Sequence, residues 1–312
     1  MTAAGTAHPL LGLVLMLLAT LMFAGMDTAI RHANAFAPAL LLITLRYAFQ
    51  AVVMGVWIAS SQRLSFRAAH PRFQVVRGAL LLTSSVCAFF ALKFMPVPEF
   101  TAIGMLTPVL VMLLAAAVLR EHVTVLRWAL VAGSFIGALI VIRPGSGLVG
   151  WAALLPLCGA LALASFQILT RRLSGLDAPL TTHFWTGLTG TALILPVLLW
   201  AVPDLPAVLA PLSASQWGLA LAIGFLGTFG HLLLIFAYRQ AQASMLAPFT
   251  YAQIGWAVAL SWLAFGTWPD ALAVTGMAVI TLCGAANAWL NVRSAQQAQQ
   301  SLQARLSALP PD

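Results

Sequence analysis

The stretch Phe90 to Val123, FALKFMPVPEFTAIGMLTPVLVMLLAAAVLREHV, lies without a gap over Phe236 to Pro269, FAYRQAQASMLAPFTYAQIGWAVALSWLAFGTWP, 146 positions further along the chain. Few residues are identical, but the landmarks coincide. Gly78 falls on Gly224, Phe90-Ala91 on Phe236-Ala237, Lys93 on Arg239, and the exit from the apolar run at Leu119 on Phe265. Further upstream, Ala24 to Ile30 lies over Ala164 to Thr170 at an offset of 140, which pairs Arg31 with Arg171. The chain therefore carries one structural unit twice.

The medium in which that unit folds follows from composition. Of 312 residues, 62% are apolar and 7% are charged, whereas about a quarter of the residues of a soluble domain are charged. Apolar runs recur along nearly the whole length, each long enough to cross a hydrocarbon core of about 30 Å at about 1.5 Å per residue. Ten spans are predicted: Leu10 to Ile30, Ala39 to Ser60, Val75 to Leu92, Val97 to Leu119, Leu126 to Ile142, Gly150 to Thr170, Leu180 to Ala201, Gln216 to Tyr238, Ser244 to Gly266 and Ala271 to Leu290. The expected fold is all-α, a polytopic membrane protein with the lipid bilayer as its solvent.

Five spans per copy is an odd number, so the second copy enters the membrane in the opposite sense from the first. The charges agree. With the N-terminus inside, Arg63, Arg67, Arg72, Arg77, Arg120, Arg127, Arg171, Arg172, Arg239, Arg293 and Arg305 lie inside, and Arg31, Lys93 and Arg143 lie outside. Eleven against three is a positive-inside bias that places both termini in the cytoplasm. Lys93 and Arg239, equivalent in the repeat, fall on opposite sides, as inversion requires. The architecture expected is a five-plus-five inverted repeat around a central cavity, the arrangement of a carrier. Its parts are a cytoplasmic N-terminal tail over residues 1–9, repeats over 10–145 and 146–293, and a polar cytoplasmic tail over 294–312. The first span is expected to be retained, because MTAAGTAHP before it has no Lys or Arg and the run is too long for a signal peptide.

Several function classes fall away. The formal charge of +8 is spread over short loops and not gathered on one face, so no nucleic-acid partner is expected. The sequence has no GxxxxGK[ST] loop and a single lysine, which excludes ATP hydrolysis by this chain. It has no HExxH, no GxSxG and no paired-carboxylate constellation, so it does not read as an enzyme. Cys87, Cys158 and Cys283 are far apart inside apolar spans and read as small core residues, not as metal ligands or a disulfide. No cofactor is called for.

Polar residues at membrane depth are the candidates that remain, since a charge there is costly. Asp27 in span 1 and Arg46 in span 2 lie at similar depth on successive helices, so that each would neutralise the other, as part of a substrate site or as a structural ion pair. Repeat equivalence adds Gln167 over Asp27, His231 over Ser85, Gln253 over Thr107 and Tyr251 over Met105. Trp185, Tyr251 and Trp256 could wall a planar substrate, whereas Trp57, Trp128, Trp151, Trp200, Trp217, Trp268 and Trp289 read as interfacial anchors. Pro108 and Pro248 interrupt spans 4 and 9 at positions that are not repeat equivalents. The candidate substrate-binding set is thus Asp27, Arg46, Gln167, Trp185, His231, Tyr251 and Gln253, with Asp27, Glu99 and His231 available to carry protons as a coupling ion.

Leu45-Arg46-Tyr47, Phe89 to Pro96, Leu119-Arg120-Glu121 with Arg127-Trp128, Ile142-Arg143-Pro144-Gly145, Ala243 to Tyr251, and Phe265 to Asp270 together resemble the bacterial EamA-type carriers of the drug/metabolite transporter superfamily. The likeness runs from Leu10 to Arg293. Relatives often have Gly-Glu where this chain has Arg120-Glu121 and Gly266-Thr267, so the second loop carboxylate is missing here. The resemblance implies a ten-helix basket without a prosthetic group, opening alternately to each side. It implies a secondary transporter of a small polar or amphipathic metabolite, an amino acid or a heteroaromatic vitamin such as riboflavin, in the bacterial inner membrane. The rival reading is a receptor or assembly factor that keeps the fold and moves nothing.

Overall fold

The computed structural model describes residues 9–62, 64–119, 124–143, 150–172, 176–240 and 246–307. The N-terminal tail, Arg63, the Arg120-Glu121 exit, Pro144-Gly145 and Ser244 lie outside these residues. Among the described residues all regular structure is helical. The helices are α1 (Pro9–Ala33), α2 (Ala39–Ala59), α3 (Pro71–Phe94), α4 (Val97–Gly104), α5 (Thr107–Leu119), α6 (Val125–Ile142), α7 (Leu154–Arg172), α8 (Pro179–Ala201), the short α9 (Leu205–Leu209), α10 (Ala214–Gln240), α11 (Ala252–Phe265) and α12 (Ala271–Ser307). Among the described residues nine segments are long and apolar enough to cross a membrane, and Phe249–Phe265 is a shorter apolar helix that makes the tenth.

Two spans are broken, and for a legible reason. Span 4 stops at Gly104 and restarts at Thr107, because Pro108 has no N–H to give the Gly104 carbonyl and its ring crowds that turn. The hydroxyl of Thr107 takes over, donating to the Gly104 carbonyl at 2.7 Å. Span 9 breaks at the matching repeat position: a 3₁₀ turn over Ala247–Tyr251 precedes α11. The two prolines are offset, yet Met105 and Tyr251 both stand at the discontinuities. At its far end α11 closes on Gly266 in the left-handed conformation (φ 64°), where a side chain would be strained.

The helices pair mainly across the two halves. α1 lies against α10, and its repeat equivalent α7 lies against α3; α1 meets α11 while α5 meets α7; α2 meets α10 while α8 meets α3. α2 with α8, and α6 with α12, form pairs that the exchange of halves maps onto themselves. The contact pattern is thus that of a two-fold exchange, and the odd number of spans in each half makes it an inverted one. Lipid offers apolar side chains as much as a neighbouring helix does, so association rests on close approach. A Cβ on Gly137 would stand 2.9 Å from the Gly276 carbonyl, and one on Gly190 would run into the Tyr47 ring. Outward, Trp57, Trp128, Trp151, Trp200, Trp268 and Trp289 are exposed near helix ends, as anchors should be.

One expectation changes. Arg77 is no loop charge: it lies in the second turn of α3, 5% exposed. After Arg293 the polar stretch is helical through Ser307, continuing α12 as one helix of 37 residues. Cys158 is exposed, Cys87 is buried and Cys283 is half-buried, all as free thiols.

Beyond the end of α6, Arg143 forms a salt bridge with Asp270, just before α12. The guanidinium, followed by the Ala273 N–H, holds the Asp270 carboxyl down at about 2, and Arg143 is pushed up in turn. A carboxyl depressed by folding stabilises above its ordinary value, about 4, and loses that effect as pH falls through about 2. Asp270→Asn should therefore melt below wild type at neutral pH and converge with it as pH falls from 4 towards 2. Gly190→Ala should cost about 1–3 kcal/mol by overpacking against Tyr47. Gly255→Ala, with nothing within 4 Å of its Cβ, should be neutral or gain up to about 1 kcal/mol in helix propensity. Thermal melting in detergent measures all three.

Candidate functional site

A layer of polar side chains crosses the middle of the bundle where α1, α2, α3, α8, α10 and α11 meet. Asp27 is 4% exposed on α1 and accepts a hydrogen bond from Gln253 Nε2 at 3.4 Å, from the first turn of α11. Arg46 is 3% exposed on α2; its Nη1 donates to Ser85 Oγ on α3 at 2.6 Å, and its guanidinium lies 4.8 Å from the Tyr47 ring centroid. Tyr47 shares the same serine, O to O at 2.8 Å. Direct pairing of Asp27 with Arg46, expected from the sequence, does not occur: no ion pair joins them within 4.0 Å. Ser85 and Tyr47 have taken the arginine and Gln253 the carboxylate.

One turn further along α2, Gln50 Nε2 donates to the His183 carbonyl at 2.9 Å and meets His183 Nδ1 at 3.2 Å. The His183 ring lies 5.8 Å from His231 on α10, whose other neighbour, Phe23, meets it edge-on at 4.9 Å. Arg46 Nε, Gln50 Oε1 and Thr228 Oγ1 are all buried without a hydrogen-bond partner. Such atoms are uncommon in folded proteins and mark places where a ligand, water or another state completes the bonding. These groups can hold a small polar molecule by charge and hydrogen bonds. Among the described residues no cluster of His, Cys, Asp or Glu is arranged to hold a metal ion.

Of the residues named from the sequence, Asp27, Gln253, Arg46 and His231 come together in this layer. Gln167 is exposed on α7, on the face that carries the buried Ala160 and Ala164, and bonds to none of them. Tyr251 is 4% exposed but packs in an apolar cluster with Met95, Ile103, Leu106 and Ile280, its hydroxyl against Gly284. Trp185 donates from Nε1 to the Phe66 carbonyl at 2.9 Å, which ties it to the loop between α2 and α3; Trp256 is 36% exposed. Sequence reading missed Gln50 and His183. Gln50 had a signal, since it follows Arg46 by one helical turn on the same face.

The two ends of the bundle differ. At one end Asp177 holds the α2–α3 loop, accepting from Ala69 N and Gln74 Nε2, each at 2.8 Å. Thr181 Oγ1 donates to the Ser65 carbonyl at 2.7 Å, and Trp185 adds its bond to Phe66. Below this strap Arg77 donates to Thr170 Oγ1, Gln74 Oε1, Thr186 Oγ1 and the Thr182 carbonyl, at 2.7 to 3.1 Å. At the Asp270 end, by contrast, a groove of about 670 Å³ opens between α1, α10 and α11, lined among others by His32, Phe36, Ser213, Ser215 and Gln216. Ser213, Ser215 and Gln216 are the repeat equivalents of Arg67, Ala69 and His70. The positions that line a groove at one end thus lie, at the other, within the loop that Asp177 holds.

A model of the EamA-like transporter family matches residues 10–143 and 150–286. A riboflavin transporter of Vibrio cholerae is 30% identical over 88% of this chain and 92% of its own length. The pseudopaline exporter CntI of Pseudomonas aeruginosa is 26% identical over 87% and 93%, and an S-adenosylmethionine uptake transporter of Rickettsia prowazekii is 22% identical over 75% and 78%. A solved crystal structure superposes with a TM-score of 0.65 at 20% identity, covering 91% of this chain and 98% of its own, a likeness of fold.

Removing the strap should loosen one end only. Asp177→Ala should speed tryptic cleavage after Arg67 severalfold, because cutting needs local opening of the loop. Unchanged cleavage kinetics would mean that Asp177 does not hold the loop.

Proposed function

Because the chain belongs to the EamA-like transporter family and is a membrane transporter of small metabolites, we propose that it is a secondary carrier of the bacterial inner membrane, not an enzyme. It works by alternating access and moves a small polar or amphipathic metabolite, an amino acid or a heteroaromatic vitamin such as riboflavin. The observation that carries this reading is the buried polar layer from Asp27 to His231, which lies within the apolar spans and draws side chains from both halves. Carriers built from inverted repeats place their substrate there. The names of the relatives, which concern a vitamin, a metallophore and a sulfonium nucleoside, support a cargo of metabolite size.

The charge distribution supports cytoplasmic termini. Even with Arg77 drawn into the bundle, the sequence has ten basic residues on the predicted cytoplasmic side of its spans against three on the other. The groove at the Asp270 end then faces outward and the strapped end faces the cytoplasm. Protons are the coupling ion this reading favours, since Asp27, His183 and His231 lie in the layer itself. The proposed functional units are the repeats over 10–145 and 146–293, with Asp27, Arg46, His231 and Gln253 lining the site they share.

The test is counterflow of labelled riboflavin and labelled amino acids into proteoliposomes. Wild type should accumulate at least one of them. Arg46→Ala should bring that uptake to background while eluting as wild type from a sizing column. Full counterflow without Arg46 would place the site elsewhere, and a bound ligand that never shows counterflow would point to a receptor.

A further inference from the structure

Where α2 gives way to α3, residues 65 to 69 are tied to α8 by Asp177, Thr181 and Trp185. The corner held in this way displays Arg67, His70 and Arg72, all exposed, together with the exposed rings of Phe66 and Phe73. Among the described residues the one ion pair is that of Arg143 with Asp270, so neither Arg67 nor Arg72 is matched by a carboxylate. Asp177, the acid of this corner, has its two oxygens on Ala69 N and Gln74 Nε2. Below Arg72 one face of α3 continues through Val76 to Thr83, both exposed, with Ala79 and Leu80 half-buried between them. By helical spacing this strip lies opposite the face that buries Gln74, Leu81 and Ser85 in the bundle, so it is turned towards lipid. Two cations without acidic partners thus stand at the head of a largely apolar strip.

The second copy builds the equivalent corner without these charges. Arg67, His70 and Arg72 fall on Ser213, Gln216 and Gly218, whereas Phe66, Phe73 and Val75 fall on Leu212, Leu219 and Leu221. The apolar positions are kept and the basic ones are not, so packing does not demand the arginines. We propose that this corner binds an anionic phospholipid of the adjoining leaflet, with its phosphate on Arg67 and Arg72 and an acyl chain along Val76 and Leu80. The carrier reading places that leaflet on the cytoplasmic side, but binding needs only the charges and the strip. Basic residues just outside a span gain from an anionic lipid surface. Arginine adds to this attraction because its N–H fork matches phosphate oxygens. The loop is already tied to α8, so little further ordering is lost when the headgroup docks.

Melting of the purified protein in a neutral detergent, doped with phosphatidylglycerol or with phosphatidylcholine at the same mole fraction, tests this. Phosphatidylglycerol should raise the wild-type Tm, and phosphatidylcholine should not. The double variant Arg67→Gln, Arg72→Gln removes two exposed charges and should need about tenfold more phosphatidylglycerol for the same shift. Should that variant fold poorly, Arg72→Gln alone decides, with a severalfold weaker response. Arg293→Gln is the control for charge in general. That arginine is exposed at the same end of the bundle, over the Trp289 ring, and its loss should leave the response as in wild type. Inorganic phosphate and glycerol 3-phosphate, which bring the charge without the chains, should not shift the Tm. The proposal is overturned if phosphatidylcholine stabilises as much, or if the arginine variants respond as wild type does. It is equally overturned if Arg293→Gln weakens the response as far as they do, or if the soluble phosphates reproduce the shift, which would mark an anion site and not a lipid site.

Discussion

The rest of this structure depends on close backbone contact between helices of opposite halves. In a bilayer nothing is gained by hiding leucine from lipid, so two helices adhere only where small residues let them approach. Gly190 admits the ring of Tyr47, Gly227 the guanidinium of Arg46, and Gly137 meets the backbone of Gly276. Because these contacts join first-half helices to second-half helices, neither half has a core of its own. The polar layer exists for the same reason: α2 brings Arg46, Tyr47 and Gln50 into a slot whose walls are α8 and α10.

That interlocking explains how charged residues are tolerated at depth. Each buried ionisable group is met by groups from helices that pack against its own. Arg77 has Thr170 on α7 and Thr186 on α8; Arg46 has Ser85 on α3; Asp27 has Gln253 on α11. Separating the halves would strand Arg77 and Asp27, whose partners come from the other half, while Arg46 would keep Ser85 from its own, so the contacts that build the fold also hold much of the site in shape. A motion that tilts one half against the other must therefore exchange hydrogen bonds and not merely slide apolar surfaces.

The span count, the inversion and the pairing of equivalent positions were all legible in the sequence, because hydrophobic length and charge bias are direct consequences of the bilayer. So were the breaks in spans 4 and 9, through Pro108 and Pro248. Less legible was the depth of a residue near a span end. Arg77 counted as a loop charge because nothing local announces that Thr170, Thr182 and Thr186 will surround it. Asp27 and Arg46 fall in one layer, yet the direct pair suggested by the sequence does not form, because Ser85 and Gln253, from distant sequence, take up the two groups. Gln167 and Tyr251 show the limit of repeat equivalence. Symmetry conserves the position on the helix, but the neighbours decide whether that position faces the site, the surface or the apolar core.

In a perfect inverted duplication, facing one side of the membrane and facing the other would be one shape seen from two ends, and equal in energy. Any resting preference must then come from residues that differ between the copies. Asp177 is such a residue: its counterpart at the offset of 140 is Ala37, which has no carboxylate to hold a loop. A side chain present in one copy and absent from the other is the kind of difference by which a symmetrical machine acquires a default posture.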